Sequence, residues 1–464
     1  MPAFSGKFQY LNPDGTAAQA GPCHLTFEAE TLTLAPARGP AITIDLGDID
    51  VFTPADYELT LTLYTSKKIV LTQFGKTFPG LAHDLLEAYR TRLIECLLLE
   101  DLEEIARFEG VARLESPARA FSSPAEFRLY QSNLAVLPTA ATGLQWRLAD
   151  LDAVNFDEAN YVVTLSSGDA RLTAAKLAKR TQEFVERLAA ARTQLAEKAA
   201  ETLHDLFPFL TPDQFQQAAI LLREGHAAPL AKLQAIHPKS EKALVGNVID
   251  PKLKPYFDVL LAQTPAGWLY SGFKLLREEE AMAETGPPPE EQPIETEGMP
   301  EAEAASTPAE EDAAVELAGK EAEAHQPILH WFFFPLAAQP GAKLPANLVA
   351  WETTSKSGRA TYFFRLVPPE QAPLLADPTK APAVVELAIR ELNRALVLLN
   401  FRREPIYLPD DSLEIQPRFR RYAIACRKLP ELRRLRASFL GRAIHTSLEN
   451  WRGQLEGFVA KAVP

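Results

Sequence analysis

The chain has 464 residues, 47% of them apolar, and a net charge of −13. That length allows about three domains, the apolar share excludes wholesale disorder, and no apolar run reaches the ~18 residues of a membrane-spanning helix. Cys23, Cys96 and Cys426 are too few and too scattered for a disulfide framework, and read as free thiols of a reducing, cytoplasmic protein.

The first fifteen residues, MPAFSGKFQYLNPDG, show no basic segment followed by an apolar core, so no signal peptide is expected. Phe4–Leu11 reads as a strand, with turn chemistry at Asn12–Gly15. Short strands follow near His24–Glu28, Leu32–Ala35, Ala41–Leu46 and Asp48–Phe52. In Tyr57–Tyr64 the residues Tyr57, Leu59, Leu61 and Leu63 alternate with Glu58, Thr60 and Thr62, the period of a half-buried strand. Lys68–Gln73 completes a hairpin. The period then lengthens: Phe78, Leu81, Leu85, Tyr89, Leu93 and Cys96 mark one face of a helix.

The pattern restarts at Phe108–Glu115. Phe4 and Gly6 recur as Phe108 and Gly110; Leu46, Asp48 and Asp50 as Leu148, Asp150 and Asp152; Ala55 and Tyr57 as Ala159 and Tyr161. The offset drifts between 102 and 104 residues, so length changes fall in turns. Leu177, Phe184, Leu188 and Leu195 give the second closing helix. The recurring aspartates at the turn-to-strand junction suit backbone capping better than a catalytic carboxylate pair.

Seven short strands and a closing amphipathic helix, twice in tandem, resemble the pleckstrin-homology-like superfold. The resemblance implies two partly open β-barrels, residues 1–105 and 106–205, each plugged by its C-terminal helix. Two small antiparallel sandwiches are the competing architecture. It also implies protein or peptide partners, taken by strand addition at a sheet edge as in the related phosphotyrosine-binding domains. Many members bind phosphoinositides through basic residues around the first strand-to-strand loop. Here Asn12–Pro22 has no Lys or Arg and Glu115–Pro124 only Arg119, which disfavours a lipid partner.

Residues 206–265 read as a helical spacer opened by a capping box at Thr211–Gln214. Residues 266–464 read as an α+β domain. Its strands are expected at Gly267–Leu276, Ile328–Leu336, Asn347–Thr354 and Arg359–Val367, with a turn at Ser355–Gly358. Helices are expected at Ala381–Leu399, Pro417–Leu429, Glu431–Phe439 and Ala443–Val459. Between Glu278 and Glu323 lie 16 acidic residues and one basic, net −15, which leaves the rest of the chain at +2. Residues 279–325 are expected to be a disordered insertion within this domain, because the strand before them needs a partner after them.

No reaction is legible. Gly75-Lys76-Thr77 lacks the glycine that a phosphate-binding loop needs five residues earlier, where Val70 stands. The eight histidines show no zinc spacing, and His330 in its apolar strand reads as structural. No cofactor or metal is expected, and an enzyme would need a site assembled across domains. The one charge feature outside the acidic segment is Arg418, Arg420, Arg421, Arg427, Lys428, Arg433, Arg434, Arg436 and Arg442 against Glu431. A solvated face or pairing with nearby carboxylates is the plain reading. Nucleic acid or an acidic or histone-like partner is the alternative, with the acidic segment as a competitor for the patch. The sequence therefore points first to a non-catalytic interaction or scaffold protein.

Overall fold

Strand-forming alternation organises the first half of the chain. The computed structural model describes residues 3–276, 328–337, 345–352 and 360–461, apart from positions 376, 378, 403 and 446. The expected disorder at 279–325 and the turn at Ser355–Gly358 lie outside the described residues.

Strands β1 (Phe4–Leu11), β2 (Ala17–Phe27), β3 (Thr31–Pro36), β4 (Ile42–Asp45), β5 (Ile49–Ala55), β6 (Glu58–Leu63) and β7 (Lys68–Thr72) form one antiparallel sheet in the order β4-β3-β2-β1-β7-β6-β5. Helix α1 (Phe78–Cys96) follows, and its Leu81, Leu85, Tyr89 and Leu93 share a core with Phe8, Leu25, Leu34, Leu61 and Leu71. The second copy repeats this plan. Strands β8 (Glu104–Glu115), β9 (Ala120–Tyr130), β10 (Asn133–Pro138), β11 (Leu144–Arg147), β12 (Ala153–Asp157), β13 (Val162–Ser167) and β14 (Ala170–Ala175) take the order β11-β10-β9-β8-β14-β13-β12. Helix α2 (Thr181–Leu206) buries Phe184 and Leu188 against it. In each copy the fourth and fifth strands lie at opposite ends of the order, so the observed pairing is an open sheet and not a closed hydrogen-bonded ring.

One residue departs from the expected alternation. Tyr57 does not join Leu59 and Leu61 on the buried face; it sits in the β5–β6 turn at φ 54° and is 65% exposed. Its counterpart Tyr161 has φ 53° and is 64% exposed. The period of two ends where the turn begins, so Tyr57 belongs to the turn.

The copies are joined along α1. Its outward side meets Ala135 and Leu137 of β10, which explains why all six β10 residues are buried. Glu126 is buried there, accepting from Arg90 Nη1 at 2.9 Å and from Arg128. The Phe52 N–H donates to the Thr139 carbonyl at 2.8 Å. A sheet covered on both faces loses its polar alternation, and fully burying each Leu side chain contributes about 1.5–3 kcal/mol.

Helices α3 (Pro212–Leu221), α4 (Leu230–Ile236), α5 (Ser240–Val248) and α6 (Lys254–Gln263) follow. The Thr211–Gln214 capping box is formed. Among these helices β15 (Ala227–Pro229) supplies an edge strand to the last sheet. That sheet has six antiparallel strands in chain order: β15, β16 (Tyr270–Leu275), β17 (Ile328–Ala337), β18 (Pro345–Glu352), β19 (Ala360–Arg365) and β20 (Phe439–Ile444). β16 and β17 are neighbours, with Leu275 opposite Ile328, so the acidic segment connects two adjacent strands of one sheet.

The remaining helices are α7 (Ala372–Leu375), α8 (Ala381–Leu398), α9 (Glu404–Tyr407), α10 (Asp410–Ile415), α11 (Pro417–Lys428), α12 (Pro430–Ser438) and α13 (Leu448–Lys461). Helix α8 covers the sheet face carrying Trp331, Phe333 and Phe364; α6 and α13 cover the face carrying Phe332, Phe334 and Phe363. The helix expected to begin at Ala443 is corrected: Phe439–Ile444 is an edge strand and the helix starts at Leu448. Gly441 explains the break, since its φ of +156° is foreign to a helix and a Cβ there would lie 2.0 Å from the Phe458 ring.

Candidate functional site

The basic stretch turns inward. Helix α11 lies against the Leu46–Asp48 turn of the first copy, and Asp48 accepts from Arg420 at 2.6 Å and Arg427 at 2.5 Å. Both arginines also pair with Glu414 of α10. Lys428, only 4% exposed, donates to the Ile49 carbonyl at 2.9 Å and to Asp50 at 3.0 Å. Arg421 pairs with Glu100, and Arg436 donates to the Pro405 and Leu408 carbonyls and to Asp410. Arg434 pairs with Glu391 on the surface, Arg433 donates to the Arg427 carbonyl, and Arg418 stacks over Phe419 at 4.4 Å. Arg442 lies over the Tyr407 ring. Burial pushes the Asp48 carboxyl up while Arg420 and Arg427 pull it back. A cation already holding a half-buried carboxylate presents little free field to a polyanion, because an incoming phosphate would first have to displace that carboxylate.

The second copy uses the same turn in the same way. Asp150, equivalent to Asp48, contacts His226 Nε2 at 2.8 Å and Arg394 Nε at 3.7 Å. Burial raises its carboxyl, but Arg147, His226 and Arg394 outweigh burial and hold it well below the usual carboxylate range. Behind it, buried Arg147 pairs with Glu224. The expected backbone capping is corrected for Asp48, Asp50 and Asp150, which make ion pairs. Capping falls to Asp45, accepting from the Gly47 N–H at 2.8 Å, and to Asp152, accepting from the Gly168 N–H at 2.7 Å.

The groups examined for chemistry have structural settings. Gly75-Lys76-Thr77 is a single 3₁₀ turn leading into α1. Burial pushes the His330 imidazole down to about 4, and the Cys96 and Cys426 thiols up to about 12 and about 11, so neither sulfur is a thiolate near neutrality. A groove of about 720 Å³ between α8 and α12 is floored by Leu392 and Leu435, with the Glu391–Arg434 pair on its rim. Its lining holds no nucleophile–base pair and no titratable group with a shifted pKa. Among the described residues no helix is long and apolar enough to cross a membrane.

The two copies differ at one sheet edge. β5 ends the first sheet, and its outward Phe52 N–H is taken by Thr139. In an antiparallel strand the outward groups alternate, so the next outward position is Pro54, which has no N–H. That edge is closed. β12 ends the second sheet at the same place in the order. Phe52 pairs with Leu61 and Pro54 with Leu59; their counterparts Val154 and Phe156 pair with Leu165 and Val163. A bulge precedes each strand, keeping the two in phase: Ile49 to Val51 in the first, and Asp152 with Ala153 opposite Ser166 in the second. Val154 and Phe156 both carry an N–H, and among the described residues neither donates to any group beyond the sheet. Phe52 is 1% exposed, whereas Val154 and Phe156 are only half-buried. Sequence reading did not single out Val154, Phe156 or Tyr161. The signal available was the replacement of Pro54 by Phe156 between copies.

No protein-family model matches the chain, and no curated protein does. Among solved structures, it is similar to the crystal structure of N-terminally truncated linker–DH/PH domains of p115-RhoGEF, at 10% identity and a TM-score of 0.17, over 26% of this chain and 46% of that one. It is also similar to the Spt16D–Pob3N heterodimer, at 16% identity and a TM-score of 0.15, over 36% of this chain and 82% of that one. The chain thus spans less than half the length of the first of these. Matches of this size carry no functional argument.

Proposed function

We propose that residues 1–105 and 106–205 are tandem pleckstrin-homology-like modules of a non-catalytic interaction protein, and that the second module takes an extended peptide by strand addition at β12. The observation that carries the reading is the contrast between two equivalent edges of one chain. The first is occupied and proline-blocked; the second keeps its N–H groups and two half-buried apolar side chains. An added strand gains affinity from main-chain hydrogen bonds and specificity from alternate side chains. The same contrast explains why the tandem remains open at one place only: a free edge invites aggregation, and the first copy's proline is a common safeguard.

Phe156→Pro tests this by installing the residue the first copy carries at that position. The expected outcome is loss of binding to an extended apolar-alternating peptide, read by fluorescence anisotropy. Phe156→Ala, which keeps the N–H, retains binding. Thermal unfolding of both variants checks that the module is still folded. Unchanged binding by a folded Phe156→Pro protein would sink the reading.

A further inference from the structure

The β12–β13 hairpin has an unbalanced charge. From Asp152 to Ala170 it carries Asp152, Asp157, Glu158 and Asp169 and no Lys or Arg, whereas the first copy's hairpin, Asp50 to Lys68, sets Asp50, Asp56 and Glu58 against Lys67 and Lys68. Asp157 and Asp152 are tied into turns, by Asn160 and Gly168 respectively. Glu158 and Asp169 are exposed and have no hydrogen-bond or ion-pair partner among the described residues. The nearest cations are committed elsewhere: Arg192 donates to the Leu151 carbonyl, and Arg394 faces Asp150 and Ser167.

Tyr161 stands at the tip of this hairpin. The first copy's Tyr57 ring rests on Phe78 with centroids 5.9 Å apart, but Tyr161 makes no ring contact among the described residues. Its left-handed backbone is a conformation that Asn or Gly adopts with less strain than Tyr. An exposed ring held on a fixed turn beside carboxylates is suited to a cation.

We infer that the strand accepted by β12 is basic: an extended segment whose Lys or Arg side chains lie over Tyr161 and Glu158 at one end of the edge and beside Asp169 at the other. β12 has five residues, so at about 3.3 Å per residue its ends are roughly 13 Å apart. The matching segment carries cations about four residues apart, with apolar side chains between them against Val154 and Phe156. The inference deepens the strand-addition reading above and rests on it.

The test uses the full chain and three labelled peptides that share one apolar-alternating sequence and carry Lys, Ser or Glu at two positions four apart. Affinity is expected to fall in the order Lys, Ser, Glu, and the Lys advantage to shrink as salt rises. Tyr161→Asn removes the ring from a turn that Asn fits better. It is expected to weaken the Lys peptide roughly two- to five-fold and leave the Ser peptide unchanged. Glu158→Gln with Asp169→Asn is expected to close most of the gap between Lys and Ser peptides. Equal binding of the Lys and Ser peptides overturns the inference and leaves strand addition standing. Binding of the Lys peptide that ignores Tyr161→Asn and Phe156→Pro alike assigns it to the acidic stretch at 278–323 and overturns the inference. If none of the peptides binds, strand addition itself fails.

Discussion

The glycine shared by the two opening motifs has a steric cause. A Cβ on Gly6 would lie 2.6 Å from the Phe74 ring, and one on Gly110 would lie 2.6 Å from the Ala175 carbonyl oxygen and 2.8 Å from Leu177. Phe74 and Leu177 are equivalent, each set between two left-handed residues that turn the chain from the seventh strand into the closing helix: Gln73 and Gly75, Lys176 and Ala178. The first strand must therefore be bare where that side chain crosses it. Gly110→Ala is expected to cost about 1–3 kcal/mol, read as a lower urea midpoint. Gly6→Ala is expected to cost less, because a ring can turn aside and a backbone carbonyl cannot. His330 supplies a pH dependence. Its folded imidazole binds a proton only below about pH 4, against about 6.5 unfolded. Between those values the unfolded chain holds more protons, so stability falls as pH drops from 6.5 to 4, by about 3 kcal/mol. The depressed Asp150 carboxyl adds a loss below its ordinary range. His330→Gln is expected to flatten the slope of unfolding free energy between pH 6.5 and 4; an unchanged slope would contradict the assignment.

At the scale of elements, local pattern was legible where one face meets water. The alternation in Glu58–Leu63 and the helical spacing in Phe78–Cys96 and Ala381–Leu398 match the observed elements within a residue or two. So does the pairing of strands on either side of the acidic segment. The rest was hidden by tertiary context. Phe439–Ile444 follows a helix rich in arginine, and only pairing with β19 makes it a strand. Ala227–Pro229 is too short to carry a period at all, and is a strand because β16 offers it an edge. The basic stretch was legible as charge but not as function. Its carboxylate partners Asp48, Asp50 and Glu100 lie more than 300 residues away in sequence, and no spacing rule reaches that far. The candidate edge was hidden for the opposite reason. Val154 and Phe156 look like any strand residues until the sheet order leaves them outermost.

Across the whole molecule, the two copies grip the C-terminal part through one repeated device, an aspartate at the end of a Leu-x-Asp turn. Asp48 meets Arg420 and Arg427, and Asp150 meets His226 and Arg394. Lys428 is the most deeply buried cation of the first grip. Lys428→Met leaves the Ile49 carbonyl and Asp50 without their donor, and is expected to lower stability by about 2 kcal/mol. Arg433→Ala, which removes an exposed side chain, is expected to change it by less than about 0.5 kcal/mol. Equal effects in urea unfolding would argue against the grip. The sheet that receives both grips has its own demand. Its second and third strands are separated by residues 277–327 in sequence. A ribosome adding about 5–20 residues per second needs roughly 3–10 s to make that connection. Throughout that interval the nascent chain holds two complete modules and an apolar β16 with no neighbour on one side. A chaperone that shields a single strand during synthesis would find its substrate there, in a protein whose first 205 residues are already finished.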